Sequence, residues 1–430
     1  MSWRQAVRQR ALSSEGRRVV GVVSGSHFLN HMFLVLLPPI FGILVTEFDA
    51  SLAELGLAVS VMSITSTAFQ LPFGYLSDNY SRTLTLFIGL GSAAVGVFVI
   101  AIAGTFTVLL AGQALVGVGI GAHHPAHYPL MADATSEDNR AWAFSVHDTA
   151  GHLGYGAAPA LIVTVSAIAG RTWRDVFMLV AVVSVVYALI AVVVLSRGVS
   201  KEVSAGGRSG DSTESTEKKP LGQRVRTQLR SLVQSPAVLA LTLLALVASM
   251  SGWGLRSFSV VLLTDGYSHD LTTANTVLTL MFVGSAVATL ISGLLTDRLS
   301  ATTIIVPAYL ALGVGAVVAG SLSIPPLLAA LGIVFAASAQ SMGNPPSNKL
   351  LDNLSERADL GVNFAIITVG VTLGGSIAPP LFGALIDHAG FWAAFYLIGG
   401  FGILAIAIVL AVVRVYDVGP AAPVEPAEAD

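Results

Sequence analysis

The chain has 430 residues, 54% of them hydrophobic and 11% charged, with a mean hydropathy of +0.77. A soluble domain is about 25% charged, so this chain lacks the charge to cover a watery surface, which argues against a soluble enzyme and a disordered chain. A net charge of −3 gives no sign of a nucleic-acid partner, and the absence of cysteine excludes disulfide scaffolds, thiolate metal sites and cysteine nucleophiles.

Apolar runs of about 20 residues read as membrane helices, and twelve are predicted. The first six cover 19–45, 53–77, 83–103, 106–131, 139–169 and 174–196. The second six cover 236–265, 272–297, 301–322, 325–347, 360–387 and 391–414. The first run is long and no cleavage site follows it, so it is read as a span and not as a secretory signal. Residues 1–18 are then an N-terminal segment, 19–196 and 236–416 two six-helix bundles, and 197–235 a linker rich in Gly, Ser, Thr and charge. Within the linker, Leu221–Leu232 alternates basic and apolar residues and is expected to lie on the membrane surface as a helix. The last stretch, 417–430, is Pro, Ala and Glu and is expected to be disordered.

Charge placement tests this count. Of 22 Lys and Arg, five precede the first span, eight lie between spans six and seven, and six more fall in the other loops of the same face. Arg171 and Arg174 fall on the opposite face, and Arg256 falls inside span seven. A distribution of 19 on one side against two on the other follows the positive-inside rule and places both termini in the cytoplasm.

The halves repeat at one offset. Gly74 to Asp78 matches Gly293 to Asp297 at 219, His124-Pro125 aligns with Asn344-Pro345 at 220, and Gly154 to Pro159 aligns with Gly374 to Pro379 at 220. Three matches in the same order indicate a duplicated six-helix unit, an architecture in which two halves rock about a central site.

With Gly74, Leu76, Asp78 and Arg82 after span two, and the weaker copy Gly293, Asp297 and Arg298, the chain resembles the major facilitator superfamily of transporters. The resemblance covers residues 19–414 and implies an all-α integral membrane fold of two six-helix bundles. It also implies that the Gly74 loop is a cytoplasmic gate latch. There the glycine would allow close helix approach, and Asp78 would meet a helix N-terminus or an arginine across the bundle interface. Ser26 to Asn30, His124-Pro125 and Gly151 to Pro159 are similar to the fosmidomycin-resistance-type efflux branch. Where members of that branch often carry acids, this chain has His31 and Ala126.

Ionisable groups inside spans default to functional candidates. Seven of nine histidines fall in the N-terminal half: His27, His31, His123, His124, His127, His147 and His152. His27 and His31 share one face of span one, while Asp148, His152, Tyr155 and Pro159 form one stripe of span five. Asp148 lies about nine residues into its span, hence about 13 Å deep. Across the hairpin it is placed to face His124 or His127. Asp148 with either histidine, and with His152 nearby, is the candidate proton-coupling group; a fixed pair holding spans four and five together is the alternative. Arg256, His27, Asn30, His31, Tyr155 and Asn344 are candidate substrate contacts, since an arginine fork suits a carboxylate, phosphate or phosphonate. Gln70, Gln113, Gln340 and Asn348 could line the same cavity.

A metal reading of His123, His124 and His127 is set aside, because no fourth ligand is evident and Pro125 disturbs the helix. Gly117, Gly119 and Gly121 lie in an apolar span with no preceding strand, so they are read as helix packing and not as a nucleotide fingerprint. No ATPase motif is visible, and no cofactor is expected. The expected function is secondary transport by alternating access: proton-coupled efflux of a small drug-like or anionic compound, acting as a monomer in the cell membrane. Proton-coupled uptake of a small organic anion and a non-transporting sensor are the alternatives.

Overall fold

A computed structural model describes residues 12–205, 236–354 and 360–416. The expectations for Leu221–Leu232 and for the tail from Gly419 lie outside the described residues. Each predicted span falls on a helix. In the first half these are α1 (Ser14–Leu34) with α2 (Phe41–Phe48), α3 (Leu52–Asn79), α4 (Arg82–Ala101), α5 (Phe106–Gly121) with α6 (His123–Ala134), α7 (Glu137–Ser166) and α8 (Trp173–Gly198), followed by the one-turn α9 (Lys201–Ser204). In the second half they are α10 (Pro236–Val261), α11 (Leu271–Thr296), α12 (Ala301–Gly320), α13 (Pro326–Met342) with α14 (Asn344–Leu354), α15 (Leu360–Ala389) and α16 (Phe391–Tyr416).

Among the described residues, 11 helical stretches are long and apolar enough to cross a membrane. The twelfth predicted span, α7, is a 30-residue helix that the hydropathy test passes over. Its first sixteen residues carry Glu137, Asp138, Arg140, His147, Asp148 and His152.

Helix ends follow local chemistry. Ser51 and Glu54 form a capping box at the start of α3, and Thr172 and Asp175 form one at the start of α8. Ser81 caps α4 and Ser300 caps α12, 219 residues apart, so the repeat extends into the loops. Span one is broken where Pro38 and Pro39 remove two backbone donors, leaving a short 3₁₀ turn at Pro38–Ile40.

The chain resolves into two compact units: Met1–Thr213 with Leu271–Thr279, and Glu214–Asp270 with Leu280–Asp430. In the first, α1 packs on α7, α4 on α5 and α8, and α3 on α5. In the second, α10 packs on α15, and α12 on α13 and α16. The pairing of spans one with five, three with four and three with six is therefore the same in both halves, as duplication requires.

Lipid offers helices no hydrophobic reason to associate, so small residues and close packing do the work. Gly117 and Gly121 lie against α3, where an added Cβ would come within 2.3 Å of Met62 O and 2.6 Å of Ser66 O. Gly119 lies against α4, 2.5 Å from Gly89 O by the same measure. These three glycines pack helices, as expected.

Both ends of the first unit are braced by polar contacts. At one end the Arg174 guanidinium donates to Ala101 O at 2.8 Å and Ala103 O at 2.7 Å and pairs with Glu47, which also accepts from Trp173 Nε1 at 2.8 Å. At the other, Ser200 N–H donates to Glu15 at 2.7 Å, and Arg18 donates to Gly198 O at 2.8 Å. Each ion-pair side chain at the first brace is about one-third exposed, at 33% and 34%. Glu47→Gln is therefore expected to cost only about 1 kcal/mol, read as a small drop in the thermal midpoint of the purified protein.

Candidate functional site

The polar centre of the first unit forms where α1, α6 and α7 meet. Span four breaks at Ala122 because Pro125 has no N–H and its ring crowds the carbonyl of Gly121. The Ala122 N–H turns back to Gly119 O at 3.3 Å, and α6 restarts at His123. The second half breaks in the same place, with Gly343 N–H on Gln340 O at 3.1 Å ahead of Pro345 and Pro346. Helix α7 lies close on α1 because it presents glycines there. A Cβ at Gly151 would stand 2.7 Å from both the His27 and His31 rings, and one at Gly154 only 2.1 Å from Phe28 O.

This approach brings six imidazoles together. His27 stacks on His147 with ring centroids 3.9 Å apart and planes 8° from parallel, and stands 4.1 Å from His31 and 5.2 Å from His123. His127 lies 4.2 Å from His123 and 4.3 Å from His147, and 5.0 Å from His124. His27, His123, His127 and His147 are buried, while His31, His124 and His152 are half-buried. His27 Nδ1 meets the carbonyl oxygen of His147 at 2.9 Å. A carbonyl only accepts, so Nδ1 carries the hydrogen and Nε2 keeps the lone pair. His123 Nδ1 is 3.5 Å from Ser26 Oγ, whose own hydrogen goes to Val23 O at 2.8 Å. Tyr155 completes the rim, its ring 4.3 Å from that of His31. Asn30 is buried and lines a small pocket with His123, Phe33 and Gly119.

The expected Asp148–histidine pair is not formed. Adjacent helical residues point about 100° apart, so His147 takes the inward position and Asp148 is exposed. Among the described residues its carboxylate makes no ion pair with His124 or His127. Charge spacing along one helix placed Asp148 at the right depth but not on the right face.

The gate motif also differs from expectation. A Cβ at Gly74 or Gly293 would meet nothing within 4 Å, so close approach does not require glycine at either position. Asp78 and Asp297 are exposed. Arg82 instead pairs with Asp133 at 2.6 Å and donates to Val203 O at 2.9 Å, joining the start of α4 to the end of α6 and to α9. Asp133 was not singled out by the sequence; its only signal was an acid at the C-terminal end of span four.

In the second unit Arg256 is half-buried within α10, with its guanidinium carbon 5.7 Å from the centre of the Trp253 ring. Gly252 leaves a notch beside it: a Cβ there would lie 3.4 Å from Gln340 Oε1 and 3.7 Å from Arg256 Nη2. Gln340 reaches the notch from α13, its Nε2 donating to Ala248 O at 3.3 Å. Asn344 begins α14 and is exposed.

The family model described as Major Facilitator Superfamily matches residues 23–268 and 241–429. The chain is 28% identical to the fosmidomycin resistance protein of Escherichia coli over 229 residues, 53% of this chain and only 52% of that relative. It is 24% identical to the uncharacterized MFS-type transporter YfnC of Bacillus subtilis over 86% of each chain. It is 23% identical to the probable sulfoacetate transporter SauU of Cupriavidus necator, over 89% of this chain and 90% of that one. In fold it is similar to the crystal structure of a bacterial homolog of the human lysosomal transporter Spinster, with a TM-score of 0.75, 15% identity and coverage of 94% and 98%. The chain belongs to the major facilitator superfamily and is a multi-pass membrane protein.

Proposed function

We propose that this member of the major facilitator superfamily is a secondary active transporter that exports a small organic anion by alternating access, in exchange for protons. The observation that carries the anionic class is the Arg256 notch. An arginine inside a span costs several kcal/mol to place there. This one lies against Trp253, with Gln340 across a gap left by Gly252. A planar guanidinium fork matches the two oxygens of a carboxylate, phosphate or phosphonate. The similarity to a fosmidomycin resistance protein and to a probable sulfoacetate transporter supports export and an anionic cargo.

The energy source fits a gradient, since the sequence carries no phosphate-binding loop. Because Asp148 is not paired with His124 or His127, the proton exchange is proposed for the transport cycle and not for that pair. Placement in the cell membrane with both termini cytoplasmic follows from the charge asymmetry, and each chain is proposed to act as a monomer.

Proteoliposomes with a trapped pH dye and an imposed pH gradient test this reading. Adding phosphonates or carboxylates is expected to trigger proton movement opposite to the labelled substrate, while cationic drugs do not. Proton and substrate moving in the same direction would replace export with uptake by symport. No movement of any labelled anion, with the protein intact, would overturn the anion reading.

A further inference from the structure

We propose that His27, His123 and His147 form a binding site for a divalent transition-metal ion of the kind imidazole prefers, such as Zn²⁺ or Co²⁺. The three side chains come from α1, α6 and α7, and each offers a ring nitrogen such that all three nitrogens lie within 4.8 Å of one another. They are 5%, 3% and 1% exposed.

The hydrogen-bonding pattern suits a metal better than it suits packing. Buried polar atoms are nearly always satisfied, and one left without a partner costs about 1–3 kcal/mol. Here His123 Nε2 and both nitrogens of His127 are buried without a hydrogen-bond partner. A stack of imidazoles placed only to join helices would leave all of these groups unmet. A metal ion takes up His123 Nε2 directly, and an anion in its fourth position would accept a hydrogen bond from His127.

The outer contacts point the same way. Metal-binding histidines commonly donate their second ring N–H to a carbonyl, which fixes the tautomer and aims the other nitrogen at the ion. His27 does this, donating Nδ1–H to the carbonyl oxygen of His147 at 2.9 Å. His123 has Ser26 Oγ on its Nδ1 side at 3.5 Å, leaving Nε2 for the ion. Imidazole is a ligand of Zn²⁺, Co²⁺, Ni²⁺ and Cu²⁺ and a poor one for Mg²⁺ or Ca²⁺.

Ligand atoms about 2.0–2.1 Å from a tetrahedral ion stand about 3.4 Å from one another. The site therefore contracts by no more than about 1.5 Å, and the ring of His147 turns about χ2 out of its stack on His27 so that its lone pair points at the ion. Three neutral ligands leave the ion its full charge, so the fourth position suits a small anion. His127 lies beside two of the ligands and can donate a hydrogen bond to that anion.

The nearness in sequence of His123, His124 and His127 suggests a different set, all from one helix. The set that converges takes one histidine from each of three helices, which only the packing of α7 on α1 and the restart of α6 bring together.

The test uses the full chain without an oligohistidine tag, purified in detergent and stripped with a chelator. Titration with Co²⁺ is expected to give one equivalent bound per chain, with the intense visible absorption of a tetrahedral nitrogen-ligated ion, and Zn²⁺ is expected to displace it. His123→Ala and His147→Ala are expected to weaken binding at least 100-fold. His269→Ala and His388→Ala, in the other half of the chain, should leave it unchanged. His123→Gln, with a melting curve alongside, separates loss of the ligand from loss of the fold. Substoichiometric binding by the wild-type chain, or binding that survives both single substitutions, would overturn the proposal whatever the variants' stability. Labelled Zn²⁺ with proteoliposomes then tells a resident ion from cargo: a resident ion stays at one per chain, whereas cargo accumulates in the lumen.

Discussion

Gly154→Ala is expected to keep the protein from accumulating in the membrane. The new Cβ would stand 2.1 Å from Phe28 O, 2.9 Å from Phe28 C and 3.1 Å from Phe28 Cα. All three atoms are backbone, so no side chain can swing away. The helices must separate, and with them the contact that aligns His27 and His31 against α7. Overpacking a tight site costs about 1–3 kcal/mol, and rigid backbone places this substitution at the upper end. Gly156→Ala is the matched control. It lies on the same helix, with nothing within 4 Å of an added Cβ, and alanine gains up to about 1 kcal/mol of helix propensity there. Membrane abundance and thermal midpoint should fall for the first and hold or rise for the second. An unchanged midpoint for Gly154→Ala would mean that α1 and α7 do not pack as described.

Arg256→Lys is expected to raise the apparent KM for an anionic substrate about 30-fold or more, with normal abundance. Lysine keeps the charge but loses the two-pronged geometry, and truncating one partner of a buried charge-assisted contact costs about 2–5 kcal/mol, tenfold for each 1.4. Arg256→Ala should do the same and also lower abundance, because the side chain covers part of the Trp253 ring. Uptake assays over a range of substrate concentration separate the two effects. If Arg256→Lys leaves KM unchanged and lowers only the melting temperature, the guanidinium holds helices together and touches no substrate.

Much of this architecture was legible because the membrane makes local composition decisive. Helix boundaries such as Leu52–Asn79 and Trp173–Gly198 fall within two residues of the spans read from hydropathy. Even α7, more polar than the other spans, was read as a span over 139–169 and supported by the charge asymmetry of the loops. The break in span four was signalled by Pro125, although the chain turns three residues earlier, at Ala122. What sequence could not give was facing. Asp148 and His147 are neighbours in the chain, and only the packing of α7 decides which one points inward. The partner of Arg82 was hidden for a related reason: it is Asp133, 51 residues on, at the end of another helix. The glycines were legible as packing residues at Gly117, Gly119 and Gly121, yet not at Gly74, where the space around the helix is open.

The two braces of the first unit have a mechanical consequence. Arg174 ties the end of α4, the end of α2 and the start of α8 into one knot. Arg82, Glu15 and Arg18 pin the far ends of α4, α6, α8 and α1 in the same manner. A bundle clamped at both ends cannot splay like a fan; it moves as a solid piece or bows at the waist. The waist is where the ladder of span four is interrupted at Ala122. Amide exchange should therefore be slow at both ends and fastest just around that interruption, the reverse of the fraying that isolated helices show.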